Sequence, residues 1–117
     1  MNVLILGGSG YIGERLTELL ISKKYNVSVA TRKSRKILNP KINKLFEIDW
    51  NNLSSLRDAC EGNEIIINAA GASSKESEEN YEEVINFSKI GTTNLIKAAT
   101  MQSVKKIFYL STAHVYS

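Results

Sequence analysis

Apolar residues follow two rhythms along this chain. Short, nearly continuous runs fall at Val3-Leu4-Ile5-Leu6, Asn26 to Thr31, Leu45 to Ile48, Glu64 to Asn68 and Val104 to Leu110. They are brief and rich in β-branched or aromatic residues, so each predicts a strand. Ile65-Ile66-Ile67 is apolar throughout and predicts a central strand covered on both faces. Between the runs, apolar residues recur every three or four positions, the period of a helix with one buried side. Ile12, Leu16, Leu19 and Leu20 form such a stripe, opposite Glu14, Arg15 and Glu18, and predict a helix to about Lys23 or Lys24 that lays the stripe on a sheet. Leu53, Leu56, Ala59 and Cys60 predict a second helix, starting from Asn52 or Ser54 and stopping near Gly62, a residue suited to a helix C-terminus. A third runs from Ser77 to about Met101. Tyr81, Val84 or Ile85, Ser88, Thr92, Leu95 and Ala99 share its inner side, with Gly91 allowing close approach to the sheet. Glu78, Glu79, Glu82 and Glu83 crowd its first turns, where the helix dipole favours anions and a solvated face is expected rather than a catalytic pair. Lys33 to Lys44 is polar and broken by Asn39-Pro40, which predicts a loop with at most a short helical turn.

Strands alternating with helices, without repeats or linkers, imply one parallel sheet, and right-handed crossovers give the strand order 3-2-1-4-5. The fold class is therefore α/β, a doubly wound, Rossmann-type sheet of five strands in a single domain over residues 1–117. In such a sheet ligands bind outside the carboxyl ends of the strands, where the order reverses. Composition narrows the chemistry. Hydrophobic content of 43% and charged content of 23% exclude a disordered chain. The lone Cys60 cannot form an intramolecular disulfide and reads as core, and no Cys/His cluster has metal-ligand spacing. No apolar run approaches membrane-spanning length, and Met1-Asn2 leads into a core strand rather than a signal peptide, so a cytoplasmic protein without membrane contact is expected.

The first strand is followed directly by Gly7-Gly8-Ser9-Gly10-Tyr11-Ile12-Gly13 and then by a helix. Glycines at Gly7, Gly10 and Gly13 meet three needs of dinucleotide binding: a tight turn, room for a pyrophosphate beside backbone, and close packing of helix on strand. Amides of the first helical turn then face the phosphates. Small residues at Asn68-Ala69-Ala70-Gly71-Ala72 would let a flat ligand lie against backbone at the end of the fourth strand. The second strand ends in Thr31-Arg32. An NAD site places a carboxylate there to accept from the ribose 2′-hydroxyl, whereas a 2′-phosphate needs cations. Here Thr31 stands at the acidic position, followed by Arg32, Lys33, Arg35 and Lys36, so NADP is expected over NAD. The net charge is a mild +3, and the basic residues are concentrated between Arg32 and Lys44. That stretch lacks interleaved aromatics for base stacking, and no nucleic-acid partner is expected.

With GGSGYIG at Gly7 to Gly13, IDW at Ile48 to Trp50, NAAG at Asn68 to Gly71, GTTNLIKAA at Gly91 to Ala99 and VKKIFYLSTAHVYS at Val104 to Ser117, the chain resembles the extended short-chain dehydrogenase/reductase family of NAD(P)-dependent sugar epimerases, dehydratases and reductases. The resemblance covers essentially every residue and matches the N-terminal half of a member. It implies that Gly7, Gly10 and Gly13, with Tyr11 and Ile12, receive the pyrophosphate. Asp49 would accept from the adenine amino group with Trp50 beside the ring, and Ala69, Ala70 and Gly71 would line the nicotinamide-side ribose. Thr112 matches the family's catalytic Ser/Thr, which hydrogen-bonds the substrate oxygen where charge develops; its spacing to Val115-Tyr116 favours it over Ser111.

The departures shape the expectation. Family catalysis uses a Tyr and a Lys four residues apart, the Lys lowering the Tyr pKa. No tyrosine among these 117 residues has a lysine at that spacing. Ser88 replaces an asparagine the family often has before the glycine-threonine pair. The chain is expected to be a fragment ending before the sixth strand and lacking the domain that holds a nucleotide sugar. The resemblance implies the NADP-binding part of a sugar-nucleotide epimerase, dehydratase or reductase, expected to be inactive alone; a non-catalytic NAD(P)-binding regulatory or scaffold protein is the alternative. An uncovered sheet face and open edge at strands 4 and 5 predict a homo-oligomer.

Overall fold

A computed structural model describes residues 1–7, 11–32, 39–69 and 81–110, with backbone alone at 11 and 81–88. In chain order the elements are β1 (Asn2–Leu6), α1 (Tyr11–Ser22), β2 (Asn26–Thr31), β3 (Leu45–Glu47), α2 (Leu53–Cys60), β4 (Ile65–Asn68), α3 (Tyr81–Met101) and β5 (Lys106–Tyr109). The five strands form one sheet in the order β3-β2-β1-β4-β5, all neighbours parallel, as the alternation predicted. It is a Rossmann-like α/β fold.

Strand alternation divides the core into two layers. On one face Leu4 and Leu6 of β1, Ala30 of β2 and Ile66 of β4 meet Leu56, Ala59 and Cys60 of α2 and Leu95, Ala98 and Ala99 of α3, with Ile48 and Trp50 closing the layer. On the other, Val3, Ile5, Val27 and Val29 pack against Leu16, Leu20 and Ile21 of α1. Burial of this many branched side chains, each stabilising by about 1.5–3 kcal/mol, is what holds helices of modest intrinsic stability in place.

Three expectations are corrected. Ile12 and Leu19 lie 54% and 53% exposed, outside the stripe that covers the sheet. The inward line of α1 instead runs through buried Gly13 and Thr17, flanked by Leu16, Leu20 and Ile21, with the Thr17 hydroxyl donating to the Gly13 carbonyl at 2.7 Å. A small residue and a self-satisfied hydroxyl let the helix sit close to the strands, which a count of apolar residues overlooks. Next, β4 is not buried on both faces: Ile66 is fully buried, while Ile65 and Ile67 are only partly covered. Both α2 and α3 pack on the Ile66 side, and among the described residues the helix on the Ile65 side is α1, which packs on β1 and β2. Last, Gly91 approaches Trp50 rather than the sheet: a Cβ placed there would sit 3.0 Å from the indole Cε3.

Residues 33–38 of the predicted loop and 70–80, which include the expected start of α3, lie outside the described residues. Helices α1 and α3 end in the same way, on a residue in the left-handed region, Lys24 (φ 71°) and Ser103 (φ 57°). After α1 the Tyr25 amide donates to the Leu20 carbonyl and Lys24 to Ile21; after α3 Val104 donates to Ala99 and Ser103 to Thr100. These paired bonds satisfy the last carbonyls of each helix and turn the chain back into a strand.

Candidate functional site

Because every strand runs the same way, the five carboxyl ends share one rim, and the ladder continues past the strands there. The Gly7 amide donates to the Ala30 carbonyl at 2.8 Å, Ala69 to Leu6 at 2.9 Å, Ile48 to Thr31 at 2.7 Å and Leu110 to Asn68 at 3.1 Å. With Leu6 opposite both Ala30 and Asn68, Thr31, Gly7 and Ala69 stand side by side one residue further on. Neighbouring strands are about 4.8 Å apart, so these residues fall within a span of about 10 Å.

Gly7 has φ 79°, a backbone conformation that side-chain-bearing residues rarely adopt, and it turns the chain off β1. Helix α1 begins four residues later at Tyr11, so its N-terminal amides open on the same rim. Glu14 lies in that first turn, Ile12 is exposed and Gly13 is buried. Gly10 lies outside the described residues, as do Ala70, Gly71 and Thr112; Tyr11 is described by its backbone only.

At the end of β2, Thr31 is 4% exposed and Arg32 is exposed. No carboxylate stands at either position. The register partner of Thr31 is Glu47, the exposed last residue of β3, and two residues past it stands Asp49, also exposed. One of its carboxylate oxygens accepts from the Asn51 amide at 2.9 Å, and its own backbone amide donates to the Ser55 hydroxyl at 3.0 Å. Trp50, beside it, is only 5% exposed; its ring belongs to the core under Gly91, and its carbonyl accepts from the Asn94 side chain at 2.7 Å. Whatever the indole contributes at the rim, it contributes as a packed support.

The contacts of Ser55 and Asn94 were not visible in sequence. Ser55 could have been suspected from its place in the first turn of a helix opening on an Asn cap; nothing in the pattern marks Asn94, whose partner lies 44 residues away. Elsewhere Cys60 is fully buried and its thiol is pushed up to about 11 by burial, so it stays protonated in the core. Among the described residues no group of three or more His, Cys, Asp or Glu could hold a metal ion, and no helix is long and apolar enough to cross a membrane.

These features fit an adenine dinucleotide: a left-handed glycine at the first turn, small backbone at Ala69, a cation next to the position where an NAD site would carry an acid, and an exposed acceptor past β3. Comparison with known proteins agrees at the level of fold and family. The UDP-glucose 4-epimerase of Rickettsia bellii (strain RML369-C) is 31% identical over 123 aligned positions, which cover 94% of this chain and 36% of that protein. A solved UDP-glucose 4-epimerase superposes with a TM-score of 0.86 at 25% identity, covering 100% of this chain and 37% of the other. The UDP-glucose 4-epimerase of Thermus thermophilus, solved in complex with NAD, gives a TM-score of 0.79 at 24% identity over 92% of this chain and 36% of its own. The chain thus spans a little over a third of the length of each. The family model described as "NAD dependent epimerase/dehydratase family" matches residues 3–117, nearly the whole length, and the chain belongs to that family.

Proposed function

We propose that these 117 residues are the cofactor-binding part of a nucleotide-sugar epimerase, dehydratase or reductase, and that they bind NADP in preference to NAD at the carboxyl rim of the sheet. The observation that carries the reading is convergence: Gly7, Thr31, Arg32, Asp49 and Ala69, scattered over more than sixty positions, come to one edge of one sheet. Gly7 and the first amides of α1, at Tyr11, Ile12 and Gly13, would take the pyrophosphate together with Gly10. Asp49 would accept from the adenine amino group, with Trp50 supporting it from below. Ala69, with Ala70 and Gly71, would leave room for the ribose on the nicotinamide side.

Selectivity follows from charge. With Thr31 in place of an acid, β2 itself carries no carboxylate at its end to repel a 2′-phosphate, although Glu47 stands beside Thr31 on β3, and the guanidinium of Arg32 offers planar donors suited to the phosphate oxygens. NAD bound by solved relatives supports the dinucleotide itself; the choice of NADP rests on this pair of residues. When bound, the nicotinamide supplies hydride transfer to or from a sugar carbon. Thr112 would hydrogen-bond the sugar oxygen, a role that rests on its motif because it lies outside the described residues. The nucleotide sugar would be held largely by chain beyond these residues, and the Tyr-x-x-x-Lys acid/base pair is not among them.

Calorimetric titration of the chain with NADP and NAD tests the reading. A charge-assisted contact contributes about 1.5–3 kcal/mol, so NADP should bind about tenfold tighter or more, without turnover by this chain alone. The reading fails if neither dinucleotide binds at millimolar concentration.

A further inference from the structure

The turn that carries Asp49 is braced from outside itself. The Ser55 hydroxyl accepts from the Asp49 amide at 3.0 Å and lies 3.0 Å from the Asp49 carbonyl and 2.9 Å from that of Asn52, its single hydrogen serving either oxygen. The Asn52 amide donates to the same Asp49 carbonyl at 2.9 Å, and the Asn52 side chain caps α2 by accepting from the Ser55 amide at 3.3 Å. Within this turn the Asn51 amide fixes one oxygen of the Asp49 carboxylate. Both backbone groups of Asp49 are therefore tied to the first turn of a helix whose inner face, Leu56, Ala59 and Cys60, is fully buried. A solvent-exposed acid held in this way gains more than the local stability of turn and cap bonds. It gains directional selectivity, because an acceptor already held in place gives back less of its contact energy to ordering on binding.

We propose that Ser55 is a positioning residue for base recognition: it sets the place of the Asp49 carboxylate and thereby the discrimination between adenine and a base carrying an oxygen in place of the exocyclic amino group. The proposal rests on the reading of Asp49 as the adenine contact.

The test uses the 117-residue chain and two ligands, NADP and its hypoxanthine analogue, which replaces the amino group by a carbonyl. The unmodified protein should favour NADP about tenfold or more, the value of a hydrogen bond to a charged acceptor, and Asp49→Ala should bring the ratio to about one. Ser55→Ala should cut the ratio at least threefold while the affinity for the hypoxanthine analogue stays within about twofold, and Ser55→Thr, which keeps the hydroxyl, should restore it. A general loss of structure would instead weaken both ligands alike. If Ser55→Ala does not fold, Ser55→Cys, of similar size but poor at hydrogen bonding, carries the same expectation. A full ratio in the folded Ala or Cys variant overturns the role of Ser55 and leaves that of Asp49 standing. A ratio of one in the unmodified protein, or one that survives Asp49→Ala, overturns the assignment of Asp49 and the proposal with it, and distinguishes that failure from a failure to bind dinucleotides at all.

Discussion

At Arg32 the proposed preference for NADP rests on one guanidinium next to Thr31, the position where an NAD site would carry an acid. Arg32→Ala should bring the affinities for NADP and NAD to within about twofold of each other by weakening NADP and sparing NAD; a calorimetric comparison checks it, and an unchanged ratio would move the selectivity elsewhere. Gly91 sets a different kind of limit. Alanine there gains about 1 kcal/mol of helix propensity, but its methyl group would start 3.0 Å from the Trp50 ring, and that residue is held through its carbonyl by Asn94. Overpacking of this sort costs about 1–3 kcal/mol, so Gly91→Ala should destabilise by about 1 kcal/mol net in urea unfolding. The glycine itself was legible in the sequence, and its partner was not. A residue just past a short strand gives no sign of which layer it will fill, so the burial of Trp50 emerges only when α2 and α3 close over it. The same holds for Ser55 and Asn94: side chain to backbone bonds leave no period to read.

Among the elements, strands were the most legible because each is a short apolar run and parallel pairing admits few orders. Helix ends and helix faces were less so. The stripe of α1 was read with Ile12 and Leu19 inside, but the helix turns Gly13 and Thr17 inward, since close packing on strands selects small and self-satisfied residues as readily as apolar ones. Its C-terminus and that of α3 show how a helix can stop without the glycine that normally marks it. Lys24 and Ser103 hold left-handed backbone, which costs an L-residue about 1–2 kcal/mol, because the closing bonds from Tyr25 and Val104 demand it. Lys24→Gly and Ser103→Gly should each relieve that strain and raise stability by about 0.5–1 kcal/mol in chemical denaturation, additively since they end different helices. A loss in either would mean that the side chain contributes more than the strain it imposes.

For the molecule as a whole, the two sides of the sheet are unequally covered, and the imbalance falls at β4 and β5. On the α2 and α3 side Ile66 is sealed and Ile107 packs into the core, whereas on the α1 side Ile65 and Ile67 are half-covered and Phe108, opposite Ile67, is 49% exposed. Strand β5 is also the last in the order, and among the described residues no strand pairs with its outer edge. An apolar face beside an open edge is the arrangement that draws a second chain into contact, by burying side chains and by offering unpaired amides and carbonyls. The relatives are nearly three times as long, so in a protein of their length further chain would compete for this surface. Among the described residues none pairs with this edge, and the 117-residue chain should form a dimer or larger assembly at high concentration. Phe108→Lys puts a charge in the middle of the patch while leaving the backbone edge intact, and should shift the equilibrium toward monomer in sedimentation or light scattering without lowering dinucleotide affinity, since the rim lies at the strand ends. Persistence of the assembly in that variant would assign it to another surface, and a monodisperse monomer of the unmodified chain at high concentration would refute self-association altogether.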